Sequence, residues 1–171
     1  MSYRILKLIF VNVINIRKNK GESMNLQKAI DRWRDQETYK KQSGIHWFVW
    51  LLENPKSPIS LTGAIDLYHH DIIHILLNRG MEVKDEAVVI GFTMGNSETT
   101  KPWVKWLFAF CVRYLYPEGY RFTPNDLAEF EMGYAYGHSL EKKNIHLACF
   151  DVSQDVRTIR NIWGINIGKV L

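Results

Sequence analysis

Residues 67–91, LYHHDIIHILLNRGMEVKDEAVVIG, place His69, His70, His74, Asp71, Glu82, Asp85 and Glu86 in one otherwise greasy segment. The whole chain has 6 histidines, so this concentration calls for an explanation. Burying titratable groups is costly unless they bind a metal, pair with one another or do chemistry. His70 and His74 are four apart, and on a helix that spacing leaves them offset by about 40°. They are expected to present two imidazole nitrogens to one point. Asp71 is expected on the same face, as an oxygen ligand or as the acceptor for an imidazole N–H. Such a nitrogen and oxygen set suits one divalent ion, zinc first, with iron, manganese or magnesium as alternatives. A polar core satisfied by its own hydrogen bonds is the plain alternative, and His69 shows that the chain also places histidine outside the i, i+4 pair.

A further ligand has to come from another element. The turn at 79–83 is short, so the helix after it is expected to return antiparallel, with Glu86 in its first turn near the level of His74. At an interaxial distance of about 8–10 Å, an ion between the two helices is within reach of both. Glu82 and Asp85 are nearby acids for the same purpose or for solvent. Arg79, at the turn, is the candidate for an anionic group.

The rest of the pattern is helical. Leu26, Ile30 and Trp33 recur at helical spacing on a charged background, and IHWFVWLL (45–52) is a short apolar helix stopped by ENPKSP. Ser60 is the expected cap of a helix from 61 to 78, a second helix starts near Lys84, and PWVKWLFAFCVRYLY (102–116) is bounded by Pro102 and Pro117. Thr123-Pro124 opens a helix running to about Lys143. IHLACF (145–150) reads as a strand or extended crossover, and a last helix follows with Asp151 or Ser153 as cap. The expectation is a single all-α domain over 1–171, a bundle of about seven to eight helices.

The chain has 171 residues, 46% hydrophobic and 23% charged, as expected for a globular domain rather than a disordered one. Its formal charge is +4 and its basic residues are scattered, so nucleic acid is not an expected partner. Cys111 and Cys149 make no disulfide framework, which points to an intracellular, reducing setting. In the first twenty residues Lys7, Asn12 and Asn15 interrupt the apolar run, so neither a span nor a signal peptide fits. A helix that docks on a core, a membrane surface or another copy of the chain is expected there, followed at once by the basic IRKNK.

The helix at 102–116 carries Trp103, Trp106, Phe110 and Tyr114 among further rings. Aromatic walls of this kind suit a long apolar ligand, and Trp and Tyr also suit a membrane interface. A core helix is the ordinary alternative. Lys105 and Arg113 face either a phosphate or, more simply, water.

HDIIH followed by eleven residues and Glu86 is similar to the His-Asp-x-x-His-x11-Glu motif of the coenzyme Q biosynthesis family numbered fourth among those proteins. GYAYGHSL (133–140) resembles that family's later Gly-x-Ala-Tyr helix, and RTIRNIWGI (157–165) its closing Arg-rich segment. The likeness covers roughly residues 60 to 165. The resemblance implies a helical protein peripheral to the membrane, holding a metal through His70, Asp71, His74 and Glu86. It also implies binding of a polyprenyl lipid or prenylated quinone precursor, and work alongside other quinone-biosynthesis proteins. Ring decarboxylation and hydroxylation are the direct activity it suggests.

Two other classes are consistent with the same residues. A His-Asp phosphohydrolase would use the His70-Asp71 dyad with His46 and either Asp126 or Asp151, leaving Glu86 without a role. A non-catalytic interaction protein would keep the cluster as polar core and the aromatic helix as a subunit interface.

Overall fold

Apolar spacing and side-chain caps account for six α-helices in the computed structural model, which describes residues 24–36 and 65–169. The expected N-terminal helix, the helix at 45–52, the Ser60 cap and His46 lie outside these residues. Helix α1 (Leu26–Arg34) starts at Asn25, whose side chain accepts from the Lys28 N–H, and buries Leu26, Ala29, Ile30 and Trp33 on one face. Helix α2 (Leu67–Leu77) starts at Asp66, which accepts from the His69 N–H, and ends at Asn78 in the left-handed region. Helix α3 (Val83–Asn96) returns from it and is buried on nearly all sides. Helix α4 (Pro102–Tyr114) opens on its proline. Helix α5 (Pro124–Ser139) opens with a capping box between Thr123 and Asp126, and α6 (Val156–Trp163) is capped by Asp155 and closed by left-handed Gly164. The described residues hold no strand; three short 3-10 turns and one isolated bridge, Asn25 to Asp155, complete them.

The all-α expectation therefore holds, while several boundaries move. Helix α2 begins at 67 rather than 61, because Asp66 is extended and its side chain supplies the cap. Helix α5 stops at Ser139, four residues before Lys143, since Leu140 is extended. Residues 145–147 form a 3-10 turn entered through left-handed Asn144, not a strand. Asp155 caps α6 because Asp151 is occupied with the backbone and hydroxyl of Ser153.

The central pair is α3 against α5, and glycine sets its distance. A Cβ on Gly91 would lie 2.1 Å from the Phe130 carbonyl oxygen, and one on Gly95 the same 2.1 Å from that of Tyr134. Reciprocally, Gly133 would meet the Val88 oxygen at 2.3 Å and Gly137 the Phe92 oxygen at 2.1 Å. Two four-residue glycine repeats thus face each other and bring the two backbones into direct contact. Buried Asn96 locks the end of the pair: its amide donates to the Gly137 and Lys142 carbonyls, and its Oδ1 accepts from the Ile145 N–H.

Two apolar clusters flank this pair. One joins α1, α2 and α6 to α3 through Ile30, Ile73, Leu76, Phe92 and Ile159; the other seats α4 on it through Val104, Phe108, Val112 and Phe130. Arg160 on α6 donates to the Ile75 and Leu76 carbonyls at 2.8 Å each, satisfying two of the last acceptors of α2. No described helix is long and apolar enough to cross a membrane.

Candidate metal centre

His70 and His74 stand one turn apart on α2, and Glu86 stands in the first turn of α3. Asn78 makes this possible. Its left-handed backbone stops α2 one turn after His74, and the Arg79 N–H closes on the His74 carbonyl at 3.0 Å. Glu82 accepts from the Asp85 and Glu86 backbone N–H groups as α3 begins. The chain reverses within a few residues, as the short turn predicts.

Three donor atoms then converge. His70 Nε2 lies 3.0 Å from Glu86 Oε2 and 3.0 Å from His74 Nε2, and His74 Nε2 lies 3.3 Å from Glu86 Oε2. Metal–ligand bonds of about 2.0–2.1 Å give ligand–ligand edges of about 3.3 Å around a tetrahedral ion. The corresponding edges around an octahedral ion are about 2.9 Å. The observed triangle lies in this range, so these three side chains could hold a divalent ion. Its floor is closed and its mouth is open, since the His74 side chain is 1% exposed, His70 22% and Glu86 29%.

Protons alone satisfy this triangle poorly. If both Nε2 atoms carry hydrogen, both donate to the same Glu86 oxygen and the 3.0 Å contact between the two nitrogens is no hydrogen bond. If only one does, a bare nitrogen faces either the carboxylate or its twin. A cation in the middle accepts all three lone pairs at once. Burial pushes the Glu86 carboxyl up, but His74 and then His70 outweigh it and hold the group far below the usual carboxylate range. Glu86 is therefore ionised at neutral pH.

The side chains behind the triangle orient it. The Trp33 ring lies against the His74 ring, with centroids 4.9 Å apart and planes 31° apart. His74 Nδ1 is buried without a hydrogen-bond partner, so ring packing takes the place of the acceptor that commonly fixes a ligating imidazole. Asp71, expected to share the face of His70 and His74, is instead turned toward α1. It is buried and accepts from Trp33 Nε1 at 3.2 Å and from Arg34 Nε at 3.3 Å. The reason is the helical step of about 100° from His70. Asp71 thus holds Trp33, and Trp33 holds His74.

No family model, curated protein or solved structure matches this chain. The likeness to the coenzyme Q family stays at the level of the motif.

The remaining candidates are placed as follows. Arg79 is not open to an anion: it bonds Asp85 at 3.4 Å and lies 4.0 Å from Glu129, so two carboxylates compensate its charge. Glu82 pairs with Lys84 at 3.1 Å. His69 turns away to Asp66 and the Ala148 carbonyl. Asp126 closes the α5 capping box and Asp151 holds Ser153, so neither reaches the histidines. Trp103, Trp106, Phe110 and Tyr114 are all exposed on α4. Sequence reading missed Trp33 as the brace of His74, for which a separation of dozens of positions leaves no local signal. It also missed the facing glycine repeats, whose spacing was visible in GFTMG and GYAYG.

Proposed function

We propose that this protein binds one divalent ion, zinc first, through His70, His74 and Glu86, and works on a prenylated quinone precursor at the membrane surface. The observation that carries the reading is the triangle itself: three donor atoms at ligand-edge distances. The motif containing these three residues supports the quinone assignment. The aromatic face of α4 and the lack of a spanning helix among the described residues support peripheral contact with lipid.

Zinc held there would polarise a ring oxygen or activate water, and ring hydroxylation with oxygen would need redox-active iron in its place. The chain's own contribution is positional. His74, fixed by Trp33, sets the floor, and Glu86 supplies the ionised carboxylate that offsets the ion's charge. His70 stands at the open side, 22% exposed, where its imidazole would hold the ion toward an incoming substrate. A role in arranging other quinone-biosynthesis proteins around the bound lipid is compatible with the same site. The phosphohydrolase alternative draws less support, because Asp126 and Asp151 are committed elsewhere and Glu86 sits in the centre of the group.

Calorimetric titration with polyprenylated aromatic acids of graded tail length tests the substrate class. Each buried methylene contributes about 0.8 kcal/mol, so shortening the tail from about four isoprene units to one is expected to weaken binding far more than Glu86→Ala does. An affinity indifferent to tail length would remove the lipid assignment and leave the metal reading standing.

A further inference from the structure

Helix α4 has two faces. Val104, Phe108, Cys111 and Val112 are buried in the cluster that also contains Phe130 of α5. Trp103, Trp106, Leu107, Phe110 and Tyr114 fall within an arc of about 100° on the other side, and they are 40–66% exposed. Single exposed apolar residues are ordinary, but five large ones on one stripe mark a surface that meets something.

The surroundings say what. Helix α4 contains Lys105 and Arg113 and no acid, with exposed Lys101 just before it and exposed Arg121 just after. Lys105 is compensated by Glu131 at 2.8 Å. Arg113 and Arg121 instead donate to the backbone carbonyls of Phe122 and Tyr116, and among the described residues neither forms an ion pair with a carboxylate. Glu98 and Glu118 are exposed acids nearby in sequence, and Glu98 accepts from the Asn144 side chain. Tryptophans at one end, Tyr114 and Tyr120 at the other, and Leu107 and Phe110 between them make an interfacial pattern with a basic rim.

We propose that this face docks on an anionic phospholipid surface, with α4 lying in the membrane plane. Leu107 and Phe110 enter deepest, and Lys101, Arg113 and Arg121 meet the phosphates. A second copy of the chain is a poorer occupant. A two-fold contact through this stripe would bring two basic rims together, three cations in each copy (Lys101, Arg113 and Arg121) against Glu98 and Glu118. The docking face lies on a different helix from the metal ligands and operates without the ion, so it stands or falls independently of the metal reading.

The test is sedimentation of the full chain with vesicles of phosphatidylcholine alone or mixed with phosphatidylglycerol, with and without EDTA. Binding to the mixed vesicles is expected, unchanged by EDTA and stronger than to phosphatidylcholine alone. Trp103→Ser with Trp106→Ser and Phe110→Ser should weaken it by at least about tenfold while leaving the melting temperature unchanged, because these side chains are exposed. Phe110→Ser alone and Lys101→Glu alone should each weaken it with the fold intact, and Leu147→Ser, exposed elsewhere, should not. Wild-type protein that ignores anionic vesicles, or stripe variants that bind as wild type, would overturn the proposal. A dimer in sedimentation velocity that the stripe variants dissolve, without vesicle binding, would assign the face to a second copy instead.

Discussion

Replacing Gly133 by alanine adds one carbon, and the structure fixes where it goes. The new Cβ would lie 2.3 Å from the Val88 carbonyl oxygen and 3.0 Å from both Val88 C and Cα. Carbon–oxygen contacts settle at about 3.3 Å or more, so α3 and α5 must separate by about 1 Å at this point. The obstacle is backbone on both sides, so no side-chain rotation relieves it. Separation at Gly133 also loosens the contacts at Gly91, Gly95 and Gly137, which share the same interface. Overpacking of a well-filled core costs about 1–3 kcal/mol and sometimes more. Alanine recovers about 1 kcal/mol of helix propensity over glycine. With backbone against backbone the upper end of the cost applies, and the net expectation is a loss of about 2–3 kcal/mol. At about 2–4 °C per kcal/mol for a chain of this size, the melting temperature followed by far-UV circular dichroism should fall by about 4–12 °C. Gly91→Ala should behave alike. Gly119→Ala, where nothing lies within 4 Å of the added carbon, should stay within about 0.5 kcal/mol of wild type. A rise in melting temperature for Gly133→Ala and Gly91→Ala would mean that propensity wins and that the two backbones are not in contact.

Three further outcomes are expected. Trp33→Leu removes both the Asp71 hydrogen bond and the ring against His74; it should weaken divalent-ion affinity by about 10–100-fold with all three ligands intact, and unchanged affinity in a chelator competition would discard the bracing role. Arg160→Ala leaves the Ile75 and Leu76 carbonyls without their cationic donor and should cost about 2–4 kcal/mol in urea unfolding; a loss under about 0.5 kcal/mol would show that water replaces it. Burial, and then the charge of His69, push His146 below its usual 6.5, so the unfolded chain binds the proton first. The His146 contribution is complete above that pH and is lost as pH falls through it toward the lower folded value; His146→Gln should flatten this part of the stability–pH curve, and an unaltered slope would place the titration elsewhere.

Local signals carried much of the fold. Pro102 and the Thr123-Pro124 pair mark helix starts that the structure keeps, and the short turn after Asn78 is enough to bring Glu86 opposite His74. The start of α6 moves for one reason. Asp151 and Ser153 are as able to cap as Asp155, and the choice depends on where the chain is already extended or turned. Adjacency to His70 does not give Asp71 a shared face, because one helical step turns its carboxylate to α1. The aromatic content of α4 was plain, but which rings face outward depends on the partner helix. The i, i+4, i+7 rhythm of Val104, Phe108 and Cys111 marks the buried side only once α5 is in place. The contact of Trp33 with His74 arises from tertiary packing of α1 on α2, for which neither segment carries a mark.

A metal held by His70, His74 and Glu86 should be present in the protein as purified. Elemental analysis by mass spectrometry of protein purified without chelator tests it most directly, with wild type, His74→Ala, Glu86→Ala and His69→Ala compared side by side. About one divalent ion per chain is expected in wild type and in His69→Ala, whose imidazole is committed to Asp66 and Ala148. Little or none is expected in the two ligand variants, provided each retains its helical spectrum. Equal metal content in all four proteins, or none in wild type after incubation with zinc, iron or manganese, would contradict the account and leave the triangle as a polar core.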